Sequence, residues 1–281
     1  MFTGKVEVPL PEDDPIAFSI LMHIVHGKPG VPRQVSLPLL TTLSLLVDKY
    51  QLSKVVARYS GLWIDGLKRD IPQVITPDLF HWLSISWVFR SPDEFNHVTQ
   101  LLERESNGLD IDTYSEELNE YLPIPQIITG KFEASNSIHS ADHATETISR
   151  KRQRAIFLAF DTINNWTDIL QMPKTRCNSK GTPESHRLTC DAKLLDSLLV
   201  SADKIGIWPP PPAPFVGLTF KDVAASINQL DIVSFCSKTP YTRSTSKSHG
   251  IKSEIGSSIE KIRTKLSGLN LKDYSRWDWT S

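Results

Sequence analysis

Apolar residues recur at helical spacing along most of this chain. Over residues 15–26, Ile16, Ile20 and Ile24 fall on one face, flanked by Phe18, Leu21 and Val25. Asp14 stands where a carboxylate accepts the first free helix N–H groups, Pro15 suits the first helical position, and Gly27 predicts the stop. A connector, KPGVP, leads to a second helix capped by Ser36, with Pro38 in its first turn and Leu39, Leu40, Leu43, Leu46 and Val47 as its stripe, ending near Tyr50. A third helix is predicted over 53–67, with Val55, Val56, Tyr59, Leu62, Trp63 and Leu67 inward. Pro72 and Pro77 bracket a break. Residues 78–89 are the most hydrophobic stretch and predict a buried helix; residues 93–105 predict another, capped by Ser91 or Asp93.

The second half repeats this grammar. A long helix over 143–171 carries Ile148, Ala155, Ile156, Ala159, Phe160, Ile163, Trp166 and Leu170 at helical spacing. A helix over 190–205 turns Leu194, Leu195, Leu198, Leu199 and Ala202 inward, and two more follow at 219–230 and 253–267. Only residues 5–10, KVEVPL, alternate as a strand does, and no strong partner strand follows within the next 60 residues. Residues 1–9 are therefore expected to fray, or to pair with another chain. Between these elements, 106–145 is poor in order signals, although Leu118 to Ile124 is placed to pack; 130–142 reads as linker, 173–188 as loop, WPPPPAP at 208–214 as a stiff spacer and 237–250 as a mobile loop. The fold class is mainly α.

Composition narrows the picture without supplying a chemistry. With 281 residues, 40% hydrophobic and 22% charged, the chain can bury a sizeable core and is not of disordered composition. No run of apolar residues reaches membrane-spanning length, and the first residues lack the apolar core of a signal peptide, so an intracellular protein, nuclear or cytoplasmic, is expected. The charge is polarised. Residues 1–125 hold 10 Lys/Arg against 17 Asp/Glu, and residues 126–281 hold 21 against 15. The basic half is too mildly basic to predict a nucleic-acid partner.

Residues 10–67 resemble the second half of a BTB/POZ domain. The text that carries this is LPEDDPIAFSILMHIVHG followed by VPRQVSLPLLTTLSLLVDKYQLSKVVARYSGLWIDGL. An acidic, Pro-containing turn enters a helix that ends at Val25-His26-Gly27, and a second helix carries Leu46-Val47-Asp48-Lys49-Tyr50. The spelling is similar to BTB proteins of filamentous fungi, and GIWPPPPAPFVGLTF resembles the helical extensions those proteins carry. The resemblance implies a truncated BTB/POZ-like helical module over 1–70 with a short N-terminal strand, a helical extension over 71–125, a linker over 126–145 and a helical C-terminal region over 146–275. It implies a non-enzymatic adaptor whose partners are proteins, such as a cullin-type ubiquitin ligase scaffold or another BTB chain. Only about nine residues precede the match, so the elements that form the family's dimer interface are missing from this text. The other readings are an enzyme of unrecognised type and a truncated gene product without independent function.

The candidate ligands and nucleophiles do not form a known motif; there is no P-loop, Gly-x-Gly-x-x-Gly, His-Glu-x-x-His or Gly-x-Ser-x-Gly. His23 and His26 lie one helical turn apart with no third ligand near, and His139 and His143 fall in the linker. Cys177, Cys190, Cys236 and His249 make one Cys₃His set, but 12, 45 and 12 residues intervene, where zinc sites favour tight pairs. They read as ordinary thiols, and no catalytic, cofactor or metal residue is assigned, so the protein is expected to fold without a metal. Arg150, Lys151, Arg152 and Arg154 read as the solvated face of the long helix. Glu12, Asp13 and Asp14 are explained by one helix cap. Thr239-Pro240 and Arg243-Ser244, which have neighbours suited to phosphorylation, read as connector, Pro209 to Pro212 as spacer, and the sequon Asn165-Trp166-Thr167 as chance within a helix.

Overall fold

The computed structural model of the chain describes residues 9–108, 113–129, 147–177, 183–238 and 248–274, and of Ile127 the backbone alone. Helix predominates, and the β structure among these residues is one two-stranded hairpin. The chain forms two compact units: Met1–Thr99 with Asp112–Ile128 and Leu269–Ser281, and Gln100–Ile111 with Thr129–Gly268. One passage between units, at Ile128, falls inside the 126–145 stretch expected to separate two lobes. The passages at Thr99, Ile111 and Gly268 carry no such marker.

The first unit is built on α1 (Pro15–Val25), α2 (Leu37–Lys49), α3 (Ser53–Leu67), α4 (Pro77–Val88) and the beginning of α5 (Pro92–Glu105). Local chemistry sets the starts of the first two. Asp14 accepts from the Ala17 N–H at 2.7 Å, and Ser36 from the Leu39 N–H at 3.4 Å. Small side chains let α2 and α4 approach closely, with the Ser44 and Ser84 hydroxyls 3.4 Å apart. Leu21, Leu40, Leu43, Val47, Val56, Trp63, Leu79, Trp82 and Leu83 fill the core, each contributing about 1.5–3 kcal/mol by leaving water. Trp87, Phe95 and Tyr274 pack with ring centroids 6.2–6.5 Å apart.

The buried arcs differ in part from the predicted stripes. On α1 the inward residues are Ala17, Ile20 and Leu21, while Ile16 is 64% exposed. On α3 they are Val56, Ser60, Trp63 and Ile64, while Val55 and Leu62 are exposed. Both helices are apolar over more than one side, so periodicity alone does not choose which arc faces the core.

Order also occurs within 106–145, where no element was predicted. Strands β1 (Tyr114–Ser115) and β2 (Glu120–Tyr121) pair antiparallel, Tyr114 opposite Tyr121, and Leu122 and Ile124 behind them are buried. Two-residue strands are too short to show an alternation. The hairpin meets α4 at His81, whose Nε2 lies 2.9 Å from the Ser115 hydroxyl. A single turn, α6 (Gln126–Thr129), follows.

The second unit contains α7 (Ile148–Gln171), α8 (Glu184–Lys204), α9 (Phe220–Asn228) and α10 (Ile251–Lys265). Thr147 caps α7 and Thr219 caps α9, each accepting an N–H three residues on. All eight apolar positions predicted inward on α7 are buried. From Ala155 onward they pack with Leu194, Leu198 and Ala202 of α8, Phe220, Val223 and Ile227 of α9 and Ile255, Ile259 and Ile262 of α10. Helix α8 begins at Glu184 rather than 190, because its first turns are polar and give no apolar signal. Of the predicted strand at 5–10, residues 5–8 lie outside the described residues, as do 130–142 of the predicted linker and 239–247 of the predicted mobile loop.

His81 is 2% exposed, and burial pushes its imidazole below the ordinary histidine value of 6.5. The unfolded chain then binds a proton that the folded chain refuses as pH falls below 6.5, so acidification costs stability over that range. His81→Gln should flatten the dependence of the urea midpoint on pH between about 7 and 5.5 relative to the wild type. An unchanged slope would show that other groups control it.

Candidate metal centre

Four segments of the second unit converge on one point. Cys177 lies in the segment that follows α7, Cys190 lies on α8, Cys236 is in a 3₁₀ turn (Phe235–Lys238), and His249 precedes α10. The backbone at both ends of the set is fixed. Asp191, buried beside Cys190, accepts the Arg176 N–H at 2.6 Å and the Cys177 N–H at 3.0 Å, which seats the Cys177 segment against α8. His249 takes a left-handed backbone conformation (φ 49°), and Gly250 follows it there (φ 86°), so the chain turns sharply into α10.

The side chains meet closely. Cys177 Sγ is 3.6 Å from Cys236 Sγ, Cys236 Sγ is 3.5 Å from Cys190 Sγ, and Cys190 Sγ is 3.3 Å from His249 Nε2. All four ligand atoms lie within 4.8 Å of one another. The three cysteines are buried and unbridged; a disulfide needs about 2.05 Å. His186 Nε2 stands 3.9 Å from Cys236 Sγ, with its ring edge-on to Phe235 at 4.9 Å.

Burial raises the Cys190 thiol, and burial together with the two neighbouring thiols pushes Cys236 up to about 12. By themselves these groups stay protonated at neutral pH and are poor nucleophiles. A cation among them would reverse that preference, since thiolate is the ligand form. Three sulfurs and one imidazole form a soft, four-membered donor set of the kind that suits zinc. Spacing argued against this set; the fold brings it together.

Among the described residues, no other sequence candidate joins a group of three or more possible metal ligands. His26 is the C-cap residue of α1, and His23 lies in its last turn. His139, His143, Thr239, Arg243 and Ser244 fall outside the described residues. Asp14 caps α1, whereas Asp13 does different work: Lys49 donates to it at 2.7 Å and Tyr50 donates as well, holding its carboxyl below the ordinary range.

The reading of residues 150–154 as a solvated face is corrected at two positions. Arg150 and Arg154 are exposed, but Lys151 pairs with the buried Glu103 at 2.7 Å, and Arg152 is 1% exposed. The Arg152 guanidinium donates to the carbonyls of Ser106 (2.9 Å), Leu218 (2.8 Å), Pro214 (3.3 Å) and Phe215. A Cβ at Gly108 would come within 2.6 Å of it, so glycine is needed for this approach. The signal was present: positions 148, 152, 155, 156 and 159 share one helical arc, and Arg152 stands within it. The four prolines 209–212 join α8 to this anchored segment, with Pro209 and Pro212 exposed.

Comparison with family models, with curated proteins and with solved structures finds no match for this chain.

Arg152→Lys retains a charge but cannot reach four carbonyls. It should lower unfolding stability by roughly 2–4 kcal/mol, read from urea denaturation. A loss under about 0.5 kcal/mol would mean that the guanidinium is dispensable.

Proposed function

We propose that this protein is a non-enzymatic interaction protein of the BTB/POZ adaptor kind, with α3 as its docking helix. The observation that carries this reading is an apolar stripe on the outer side of α3. At about 100° per residue, Val55, Tyr59 and Leu62 share one narrow arc beside the buried one. Val55 is 47% exposed and Leu62 is 56% exposed, although Val56, Trp63 and Ile64 already supply the inner face. A helix that is apolar on a second side offers a surface for another protein to cover. The same helix lies within the stretch that resembles a BTB domain. The partner class is a cullin-type scaffold or another BTB chain.

The test is binding of the full chain to a cullin scaffold and to a BTB chain, by calorimetry and sedimentation, with wild type and with the double variant Val55→Asp, Leu62→Asp. Both sites are exposed, so the variant should keep its thermal midpoint. Its affinity for the partner should fall tenfold or more, about 1.4 kcal/mol. Absence of binding to either partner, or equal binding by the variant, would overturn the reading.

A further inference from the structure

We propose that Cys177, Cys190, Cys236 and His249 are the four ligands of a structural zinc ion that ties together the second unit. The inference goes beyond the adaptor reading and does not depend on it.

Geometry is the first support. Zinc bonds of about 2.3 Å to sulfur and about 2.0 Å to nitrogen give tetrahedral edges of roughly 3.8 Å between sulfurs and roughly 3.5 Å between sulfur and nitrogen. Three of the six edges, 3.5 and 3.6 Å between sulfurs and 3.3 Å to the imidazole, are within a few tenths of these values, and the other three are no longer than 4.8 Å. Hydrogen bonding among thiols does not require this convergence, because a sulfhydryl is a weak donor and a single partner satisfies it.

The second support is the surrounding structure. Asp191 accepts two successive backbone N–H groups and so holds Cys177 where α8 presents Cys190. His186 lies beside Cys236 Sγ, placed to donate an N–H to a thiolate there. Outer contacts of this kind orient metal ligands and temper their charge.

The donor set also decides the role. Three thiolates and one imidazole fill a tetrahedron and leave no position for water or substrate, which is the pattern of a structural ion. On ligation the thiols give up their protons to solvent, and the ion replaces them. The ligands come from four segments, so the ion would cross-link the segment after α7, α8, the 3₁₀ turn and the turn before α10.

The experiment uses the full chain, purified without chelator, and measures its metal content by mass spectrometry. One zinc per chain is expected. Chelation should lower the thermal midpoint by roughly 5–15 °C, and added zinc, but not magnesium or calcium, should restore it. Cobalt in place of zinc should give the intense visible bands of a tetrahedral site and a near-ultraviolet thiolate-to-cobalt band. His249→Ala should lose the ion or bind it at least tenfold more weakly, His249→Cys should retain it with a shifted cobalt spectrum, and His186→Ala should retain one equivalent. Cysteine variants that fail to fold leave the wild-type cobalt spectrum and the histidine variants to decide. A metal-free wild type whose midpoint responds to neither chelator nor zinc would overturn the proposal. Retention of the ion in His249→Ala with loss in His186→Ala would overturn the ligand assignment, and bound zinc whose removal leaves the midpoint unmoved would overturn the structural role.

Discussion

A guanidinium buried to 1% exposure sets the terms for the second unit. Removing a charge from water costs several kcal/mol unless polar groups surround it. For Arg152 those groups are the carbonyls of Ser106, Pro214, Phe215 and Leu218, drawn from two loops far apart in sequence. The loops must stay where they are, because withdrawing them would strand the charge. Two features of their backbone follow. Gly108 is where an added Cβ would strike the guanidinium, and Phe215 accepts a left-handed conformation at φ 58°. Lys151, one residue earlier, adds the buried pair with Glu103, and Glu103 in turn accepts the Gly268 N–H at 3.0 Å. The first turn of α7 is therefore an anchor for loops as well as part of the apolar core.

The other end of α7 leads to the Cys/His cluster. Here the forces are different. Burial disfavours the ionised forms of Cys190 and Cys236, so the thiols themselves do not draw the cluster together. What supports their convergence is backbone: Asp191 binding two N–H groups and the tight turn at His249 and Gly250. A bound ion would convert this arrangement from a cluster of weak donors into a strong link, at the end of the unit opposite to Arg152 along α7.

The first unit shows how a helical module can bury one arc and keep another. α3 commits Trp63, Val56 and Ile64 to the core, with the indole N–H donating to the Pro32 carbonyl at 2.8 Å, and still displays Val55 and Leu62. Asp13 ties the entry of α1 to the end of α2 through Lys49 and Tyr50, which fixes the rim of that module by charge-assisted bonds rather than by apolar contact.

The sequence by itself determined where most of the helices lie. Asp14, Ser36 and the 3.6-residue period are local signals, read within a few residues, and the first three helices and α7 follow them closely. Helical spacing also sets Arg152 on the inner arc of α7, but its charge led the sequence reading to assign it to solvent, and the structure buries it. Tertiary structure decided the rest. Which side of α1 and α3 faces the core depends on neighbouring helices, since both helices are apolar on more than one side. The hairpin at 114–121 is too short to show a period. The cysteines are separated by 12 and 45 residues, and nothing along the chain measures the distance between their sulfurs. Only the packing of α7 against α8 and α10, with Asp191 holding the intervening backbone, brings them within bonding range of one ion. Caps and periods are properties of neighbours in sequence, whereas a ligand set is a property of neighbours in space.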